Sequence, residues 1–505
     1  MEESRTKKSI RNVVTGIGSK LFLMLLAFAS KTVFVRLLGV EYNGINGLYT
    51  NLLSILSLAE LGVGNVLTFS LYGALKNGDK ELVATIINSF RKIYIGIAVA
   101  VALIGCAFIP FLRYIINSSL PENKLILYYV LYLMNSVASY LVIYKTMILT
   151  ADQKSYIANL VSTASMCIMY ILQIVYLFIR KDFIGYLAIQ VICTICGNLI
   201  LSNIATKQYP YINNKFLVHP ERFDKKGLFE NIKATFVYKI SGVLLSNTDN
   251  ILISMMVGTI SVGFYSNYYM IISYVTQFIT IFITGIMASI GNLNAENNKE
   301  KSYDFFLQIC LVFEFIAVIV ACCYWNCIQD FMRIWLGQEN VQPMGLVFAI
   351  VVNSYYTAAM NPVWMFRETM GLFKEVKYIV LVTAVMNIVL SVGLGAIWGM
   401  PGILIATTVS RYFSQFWFEP KVLYGKKFEK SPISFYVKKA KGAFICCVAV
   451  VISQFVCGYI GHNLVCVVVR AIVSALIALA CVLIANINTH EWKMLFKRLK
   501  MQIRK

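Results

Sequence analysis

Charged side chains inside long apolar stretches are the residues of this sequence most able to do chemistry. If such a stretch crosses a membrane, a charge near its centre costs about 2.5–3.5 kcal/mol, so it usually faces water or an opposite charge. Basic residues outnumber acidic ones at these positions. The basic residues are Lys20, Lys31, Lys145, Lys233, Lys239, Arg411 and Arg470, and the acidic residues are Glu60, Asp249 and Glu314.

The spacing of two lysines places them on one helix face. Lys20 and Lys31 are 11 residues apart, which at 100° per residue ends about 20° past three full turns. The densest polar cluster within an apolar stretch ends in Asp249 and Asn250. We expect these four residues and Lys239 to line one water-filled, electropositive cavity.

Each of these candidates also has a simpler explanation. Lys20 and Lys239 lie near a helix end, where a lysine can extend its amine to the membrane surface. Asp249 has either a substrate or coupling role, or it neutralises a nearby lysine. Glu60 is either a proton-coupling residue or the partner of a lysine.

Four more basic residues are candidates for the same cavity. Arg36 and Lys145 lie near span ends, where interfacial placement explains them at least as well. Arg367 matches Lys145 in an internal repeat, and Arg411 lies centrally in its span, where an arginine needs polar surroundings.

The composition of the chain requires a membrane. Of 505 residues, 59% are hydrophobic and only 14% are charged, whereas soluble domains have about 45–50% and 25%. The mean hydropathy is +0.71. The sequence therefore predicts an all-α polytopic membrane protein and excludes a soluble or disordered chain.

Fourteen segments have the roughly 20 apolar residues needed to cross a bilayer. They lie near 13–35, 44–73, 93–113, 125–149, 157–179, 183–203, 232–257, 262–291, 305–328, 345–366, 375–397, 400–420, 442–460 and 464–486. Of the 45 Lys and Arg residues, 32 fall on the N-terminal side of these spans and 6 on the other side. Both termini are therefore predicted to be cytoplasmic, and this topology accounts for much of the +21 net charge without nucleic acid.

The two longest loops divide the spans into two parallel six-helix lobes and a C-terminal helix pair. The predicted parts are an N-terminal lobe (1–203), a cytoplasmic linker (204–231), a second lobe (232–420), a cytoplasmic loop (421–441), helices 13 and 14 (442–486) and a basic cytoplasmic tail (487–505).

The two lobes match each other weakly in sequence. A shift of 219 residues places Asn12 on Asn231, Lys20 on Lys239, Gly39 on Gly258 and Gly44 on Gly263, and a shift of 222 places Lys145 on Arg367. Six spans return the chain to the same side, so the lobes are predicted to be parallel repeats. Repeats of this kind build transporters with a site at the interface of their halves.

Two short motifs carry a family resemblance. They are Arg36-Leu37-Leu38-Gly39-Val40, followed by Gly44, and Glu60-Leu61-Gly62-Val63-Gly64. With the basic N-terminus and the arrangement of six, six and two spans, the whole chain resembles the polysaccharide-transport branch of the MATE-like (MOP) flippase superfamily. The resemblance implies a Wzx-type flippase in the bacterial plasma membrane. Such a protein moves undecaprenyl-diphosphate-linked oligosaccharides outward without ATP hydrolysis, for capsule, exopolysaccharide or O-antigen assembly.

A cationic cavity suits the substrate that this resemblance implies. The diphosphate is anionic, and lysine offers a mobile point charge, while the lipid tail can stay in the bilayer. The expected partners are therefore a lipid-linked anionic oligosaccharide and membrane lipids. A polymerase and glycosyltransferases of the same pathway are further candidate partners, and nucleic acid is not.

Other functions stay open on the sequence alone. A flippase for lipid II or another cell-wall lipid is the nearest alternative, whereas the positive excess argues against a cationic drug exporter. A membrane polymerase or ligase usually needs a large extracellular loop, and the longest predicted here is about 329–344. No P-loop, HExxH, GxSxG or zinc-ligand spacing occurs, so we expect neither an enzyme nor a cofactor or metal site.

Overall fold

The chain folds almost entirely into helices. The computed structural model describes residues 5–57, 63–219, 225–296 and 298–503. Throughout these ranges no strand occurs, and the helices are joined by short turns and single helical turns of 3-10 type. The predicted all-α fold is thereby confirmed.

Two compact units divide the chain, residues 1–263 and residues 264–505. The helices up to the division are α1 (Arg5–Leu38), α2 (Val40–Leu56), α3 (Val63–Lys76), α4 (Lys80–Phe108), α5 (Leu112–Ile115), α6 (Glu122–Ala151), α7 (Ser155–Arg180), α8 (Phe183–Gln208), α9 (Lys225–Met256) and the start of α10 (Thr259–Ala295). The second unit contains the rest of α10, α11 (Lys299–Leu336), α12 (Met344–Thr369), α13 (Phe373–Trp398), α14 (Met400–Phe413), α15 (Gln415–Leu423), α16 (Ile433–Cys457), α17 (Leu464–Asn486) and α18 (His490–Ile503).

Short polar side chains begin several of these helices. Asp79 accepts a hydrogen bond from the backbone N–H of Leu82 at 2.9 Å at the start of α4. At the start of α11, Asn298 accepts one from Lys301 at 3.0 Å. Each carboxylate or amide oxygen satisfies an N–H that has no partner within the helix, which fixes where the helix begins.

An aromatic cluster joins α1, α6 and α8 in the first unit. The ring of Phe34 lies 5.6 Å from that of Phe183 and 4.8 Å from that of Tyr186. Tyr128 lies 4.8 Å from Phe183. Aromatic contacts of this kind add to the free energy of burial, so they hold the C-terminal half of α1 against its neighbours.

A second aromatic cluster joins α11, α12, α15 and α16 in the second unit. Its members are Phe306, Phe366, Phe416, Tyr424, Phe428 and Phe435. All are nearly or fully buried. This core fixes the end of α12 against α15, which positions the residues that follow Phe366.

Eleven helices of the described ranges are long and apolar enough to cross a membrane. They correspond to eleven of the fourteen predicted spans, so the count of fourteen is not confirmed. The span predicted at 44–73 is divided between α2 and α3, and residues 58–62 between them lie outside the described ranges. The span predicted at 400–420 is interrupted at Ser414 (φ −123°, ψ −80°). The third predicted span that is not confirmed, at 232–257, lies in α9. This helix carries the polar cluster that ends in Asp249 and Asn250.

Much of the segment predicted as a cytoplasmic loop at 421–441 is helical. A π-helical turn, Tyr424–Phe428, continues α15, and α16 begins at Ile433. Hydropathy alone misses these turns because lysines such as Lys426, Lys427, Lys438 and Lys441 lower the mean hydropathy of the segment. The lobe boundaries drawn from the sequence stay a prediction.

Candidate functional site

The two copies of the sequence repeat share one local geometry in the first unit. Gly39 lies between α1 and α2 with φ +97°, and Gly258 lies between α9 and α10 with φ +126°. This backbone region favours glycine because a Cβ atom is crowded there. The matched glycines therefore make the same break between two helices in both copies.

A reciprocal contact joins the two copies near these breaks. A Cβ atom on Gly44 would overlap the carbonyl oxygen of Thr259 and lie 3.1 Å from the N atom of Gly263. A Cβ atom on Gly263 would overlap the carbonyl oxygen of Val40 and lie 3.1 Å from the N atom of Gly44. The shift of 219 residues that aligns the repeat also exchanges these partners, so the contact is locally two-fold.

Lys31 lies beside this contact. Its Nζ atom donates a hydrogen bond to Oδ1 of Asn43, and Nδ2 of Asn43 donates to the carbonyl oxygen of Gly263 at 2.9 Å. Asn43 is fully buried. The lysine charge therefore meets an amide dipole, and no carboxylate of the described ranges forms an ion pair with it. Sequence reasoning missed Asn43, whose one available signal was its position next to the repeat residue Gly44.

The polar cluster of α9 ends in two buried side chains. Asp249 and Asn250 are 7% and 8% exposed. Asp249 has an interaction partner, whereas Oδ1 of Asn250 has none in the described part of the chain. Lys239 is half-buried on the same helix, and Lys20 is exposed on α1. An uninterrupted α1 carries both Lys20 and Lys31.

The remaining candidates of the first unit differ in their surroundings. Arg36 is exposed and has an interaction partner. Lys145 lies 3.5 Å from the hydroxyl of Thr206, which links α6 to α8. Glu60 lies outside the described residues, so its prediction is not tested.

Arg411 is the candidate of the second unit with a neutral environment. Its Nη1 atom lies 3.3 Å from Oδ1 of Asn353 and 3.5 Å from the hydroxyl of Thr357, both on α12. Its Nε atom is buried and has no partner among the atoms described. A guanidinium held by amide and hydroxyl oxygens keeps its full charge available to an anion.

Arg367 has a carboxylate partner instead. It is 4% exposed, and its Nη1 atom donates to Oε2 of Glu419 at 2.6 Å. The Glu419 side chain is 0% exposed. Sequence reasoning missed this acid, although Glu419 is visible as a charged residue in the apolar segment that ends the 400–420 span.

Two other embedded charges of the second unit also have partners of opposite sign. Nη1 of Arg470 donates to Asp330, and Nδ1 of His462 lies 2.9 Å from the same carboxylate. Lys439 lies 3.6 Å from Glu314. These pairs explain charges in apolar surroundings without a ligand.

The candidates of each unit, taken separately, include cations that could attract an anion. Lys31 and Arg411 are held by neutral oxygens, and Lys20 and Lys239 are in no ion pair with a described residue. Within the described ranges, no cluster of three or more His, Cys, Asp or Glu side chains could hold a metal ion. Each of these cations is therefore suited, within its own unit, to electrostatic attraction of a negatively charged group.

A family model described as "Polysaccharide biosynthesis protein" matches residues 9–287, which is more than half of the chain. No curated protein matches the sequence.

Solved transporter structures share the fold. A structure described as "Lipid II flippase MurJ, inward closed conformation" aligns with a TM-score of 0.62 at 14% identity, covering 93% of this chain and 98% of that one. An inward-facing multidrug resistance MATE family transporter of the MOP superfamily aligns with a TM-score of 0.61 at 15% identity, covering 80% and 97%. A MOP superfamily transporter from Pyrococcus furiosus aligns with a TM-score of 0.54 at 14% identity, covering 84% and 97%. The chain therefore has the MOP fold, which confirms the fold implied by the sequence resemblance.

Proposed function

The chain belongs to the polysaccharide biosynthesis protein family, and we propose that it flips undecaprenyl-diphosphate-linked oligosaccharide repeat units across the bacterial plasma membrane by alternating access around a cationic cavity. The repeat units would serve capsule, exopolysaccharide or O-antigen assembly. One observation carries the proposal: Lys31, embedded in an apolar helix, is held by a neutral amide and forms no ion pair with any carboxylate of the described ranges.

The chemistry of the substrate matches such a cation. A diphosphate carries negative charge through every step of the crossing, and its transfer through bare lipid would be prohibitively costly. A lysine amine on a flexible stem attracts the diphosphate without holding it in a fixed geometry. That property favours passage over tight binding, while the polyprenyl tail stays in the bilayer.

We assign roles to the sequence-predicted residues on this basis. Asp249 and Glu60 are the proposed coupling residues. The proposed substrate contacts are Lys20, Lys31, Arg36, Lys145, Lys239, Asn250, Arg367 and Arg411.

The assignment of Arg367 needs one further step. Its guanidinium pairs with Glu419. Arg367 can therefore contact a substrate anion only if this ion pair opens, or if the guanidinium binds the anion and Glu419 at the same time. Arg411 needs no such step because its partners are neutral, and we therefore place it ahead of Arg367 among the contacts of the second unit.

The proposed topology places both termini in the cytoplasm, where the substrate is made. Glycosyltransferases that assemble the repeat unit on its lipid carrier would supply the substrate. A polymerase on the opposite face would consume the product. These enzymes are the proposed partners in the pathway, alongside the membrane lipids.

A flippase for lipid II or another cell-wall lipid is the second candidate. The chain shares its fold with the structure described as a lipid II flippase over 93% of its length. At 14% identity this likeness concerns the fold alone, and both substrates present a polyprenyl diphosphate to the same cations. The two candidates therefore differ in which glycolipid accumulates when the protein is lost.

The deciding experiment measures that glycolipid. A deletion strain should accumulate undecaprenyl-diphosphate-linked repeat units on the cytoplasmic face, detected by mass spectrometry and by inaccessibility to an external periodate or lectin probe. Expression of the intact chain should restore export. Accumulation of lipid II instead would favour the second candidate, and accumulation of neither would refute the flippase proposal.

A variant pair tests the site within the same strain. A Lys31→Ala/Asp249→Ala double variant should insert at a normal level yet fail to restore export. Lys374→Ala, at an exposed position of α13, is the matched control and should restore it fully. Normal export by the double variant would refute the proposed cavity.

A further inference from the structure

A cavity of about 180 Å³ lies in the second unit where α11, α16, α17 and α18 meet. It is bounded by the first half of α11, the start of α16, the end of α17 and the start of α18, which places it at one end of the helices. Its side walls are apolar and include Leu307, Leu311, Phe435 and Ile445. Its lining also contains three lysines and two glutamates, namely Lys438, Lys439, Lys441, Glu314 and Glu491.

We call the two buried charges of this lining, Lys439 and Glu314, the floor of the cavity, and they neutralise each other. Nζ of Lys439 lies 3.6 Å from Glu314, and the two side chains are only 7% and 8% exposed. The hydroxyl of Tyr355 donates a hydrogen bond to the same glutamate at 2.9 Å. This buried pair is satisfied by the protein, so it leaves the floor with no net charge to offer.

We call the remaining charges of the lining, Lys438, Lys441 and Glu491, the rim of the cavity, and they have a positive excess. Lys438 pairs with Glu491, and its side chain is 46% exposed. Lys441 is exposed and donates to the carbonyl oxygen of Ala485 at 2.6 Å, which is a neutral acceptor. Two lysines and one glutamate give the rim a net charge of one positive unit, close to the apolar walls.

The neighbouring helix α18 has the character of a helix that lies at a membrane surface. The ring of Trp492 lies 6.1 Å from that of Phe315 on α11, and the guanidinium of Arg498 lies 4.7 Å over the ring of Phe305. Lys493 and Lys497 are exposed. An apolar and aromatic face with basic residues opposite is typical of interfacial helices that meet anionic lipids.

We propose that this cavity binds an anionic membrane phospholipid. The phosphate lies at the rim beside Lys438 and Lys441, and the first part of an acyl chain lies between Leu307, Phe435 and the other apolar walls. Charge selects the lipid: a phosphatidylglycerol phosphate gains from both lysines, whereas the choline cation of a phosphatidylcholine is repelled by them. A free phosphate ion lacks the apolar part that the walls would contact.

Binding is measured on the purified full-length chain in detergent, by native mass spectrometry and by the change in unfolding temperature. Phosphatidylglycerol should bind and raise the unfolding temperature, and phosphatidylcholine should do neither at the same concentration. Inorganic phosphate should also leave the unfolding temperature unchanged. Equal effects of phosphate and phosphatidylglycerol, or equal effects of the two lipids, would overturn the proposal.

Substitutions locate the site. Lys438→Gln leaves the contact of Lys441 with Ala485 in place and should weaken phosphatidylglycerol binding about fivefold, and Lys438→Gln/Lys441→Gln should weaken it further. Lys493→Gln/Lys497→Gln removes two charges from the outer face of α18 and is the matched control, which should keep the affinity within about twofold. If the control weakens binding as much as the cavity variants do, the effect is a general surface attraction and the proposed site is wrong. No transport is measured, so this outcome is independent of the proposed function.

Discussion

The embedded cations of the two units are held in different ways. In the first unit Lys31 is bonded to the amide of Asn43, and Lys145 lies near the hydroxyl of Thr206. In the second unit the embedded cations have carboxylate partners in three instances: Arg367 with Glu419, Lys439 with Glu314 and Arg470 with Asp330. Arg411 is the exception there.

This difference separates charges that hold helices together from charges that remain available. A buried ion pair cancels its own field and restrains the elements that carry it, so removing one partner leaves an uncompensated charge. A lysine held by an amide keeps its field, and its removal leaves only a neutral polar group behind. Substitutions of the two kinds of cation should therefore differ in whether stability or export is lost.

The largest effect is expected at Arg470. Its guanidinium donates both to Asp330 and to the carbonyl oxygen of Ile460, which ties α17 to α11. Arg470→Met removes the most deeply buried cation beside Asp330 and leaves that carboxylate with Arg333 and His462. It should therefore lower the free energy of unfolding by about 3 kcal/mol, the lower end of the cost of breaking a buried ion pair. The unfolding midpoint in detergent measures this loss.

The double variant provides the control for that prediction. Arg470→Met/Asp330→Leu removes both charges and should recover most of the stability, because apolar residues often replace a buried pair at little cost. If the double variant is as unstable as the single one, the pair is not what stabilises this contact.

The next effect is expected at the reciprocal glycine contact of the first unit. Gly44→Ala places a methyl group against the carbonyl oxygen of Thr259, and overpacking of this kind costs about 1–3 kcal/mol. A methyl group at Gly73 on α3 would meet no atom of the described residues within 4 Å. Gly73→Ala should therefore be neutral or stabilising by about 0.5–1 kcal/mol. Comparable unfolding midpoints for the two variants would contradict the close contact.

The sequence predicted the helical class and the repeat glycines because both follow from local patterns. Apolar stretches of sufficient length mark most helices. The repeat matched Gly39 with Gly258, and the structure adds that both have a positive φ. The interruption at Ser414 was not predictable, since a change of backbone direction inside an apolar segment leaves hydropathy unchanged.

The partners of the charges were less accessible from the sequence. Arg367 and Glu419 are 52 residues apart, and Lys31 and Asn43 lie on different helices. Which side chain meets which charge depends on how helices rotate against each other, and hydropathy contains no information on that rotation. The predicted set therefore contained Lys31, Arg367 and Arg411 but lacked the residues that neutralise or orient them.

A functional effect without a comparable stability effect is expected at Lys31. Lys31→Met keeps the length of the side chain but removes the charge, and should lower export by roughly tenfold or more, because a hydrogen bond to a charged group contributes about 1.5–3 kcal/mol. Lys31→Arg should retain part of the export rate. Initial rates of glycolipid translocation, normalised to protein in the membrane, give the comparison. Loss of protein from the membrane in Lys31→Met, at a level like that of Arg470→Met, would place Lys31 with the structural charges.

The smallest effect is expected at Arg411, and it tests the exception in the second unit. Arg411→Gln keeps an amide near Asn353 and Thr357 but removes the charge, so export should fall severalfold while the unfolding midpoint changes little. Arg367→Gln is the matched comparison, because it leaves Glu419 buried without its partner and should lower the midpoint strongly. If Arg411→Gln is less stable than Arg367→Gln, the contacts of Arg411 with Asn353 and Thr357 stabilise the fold. The cations available to a substrate are then confined to the first unit.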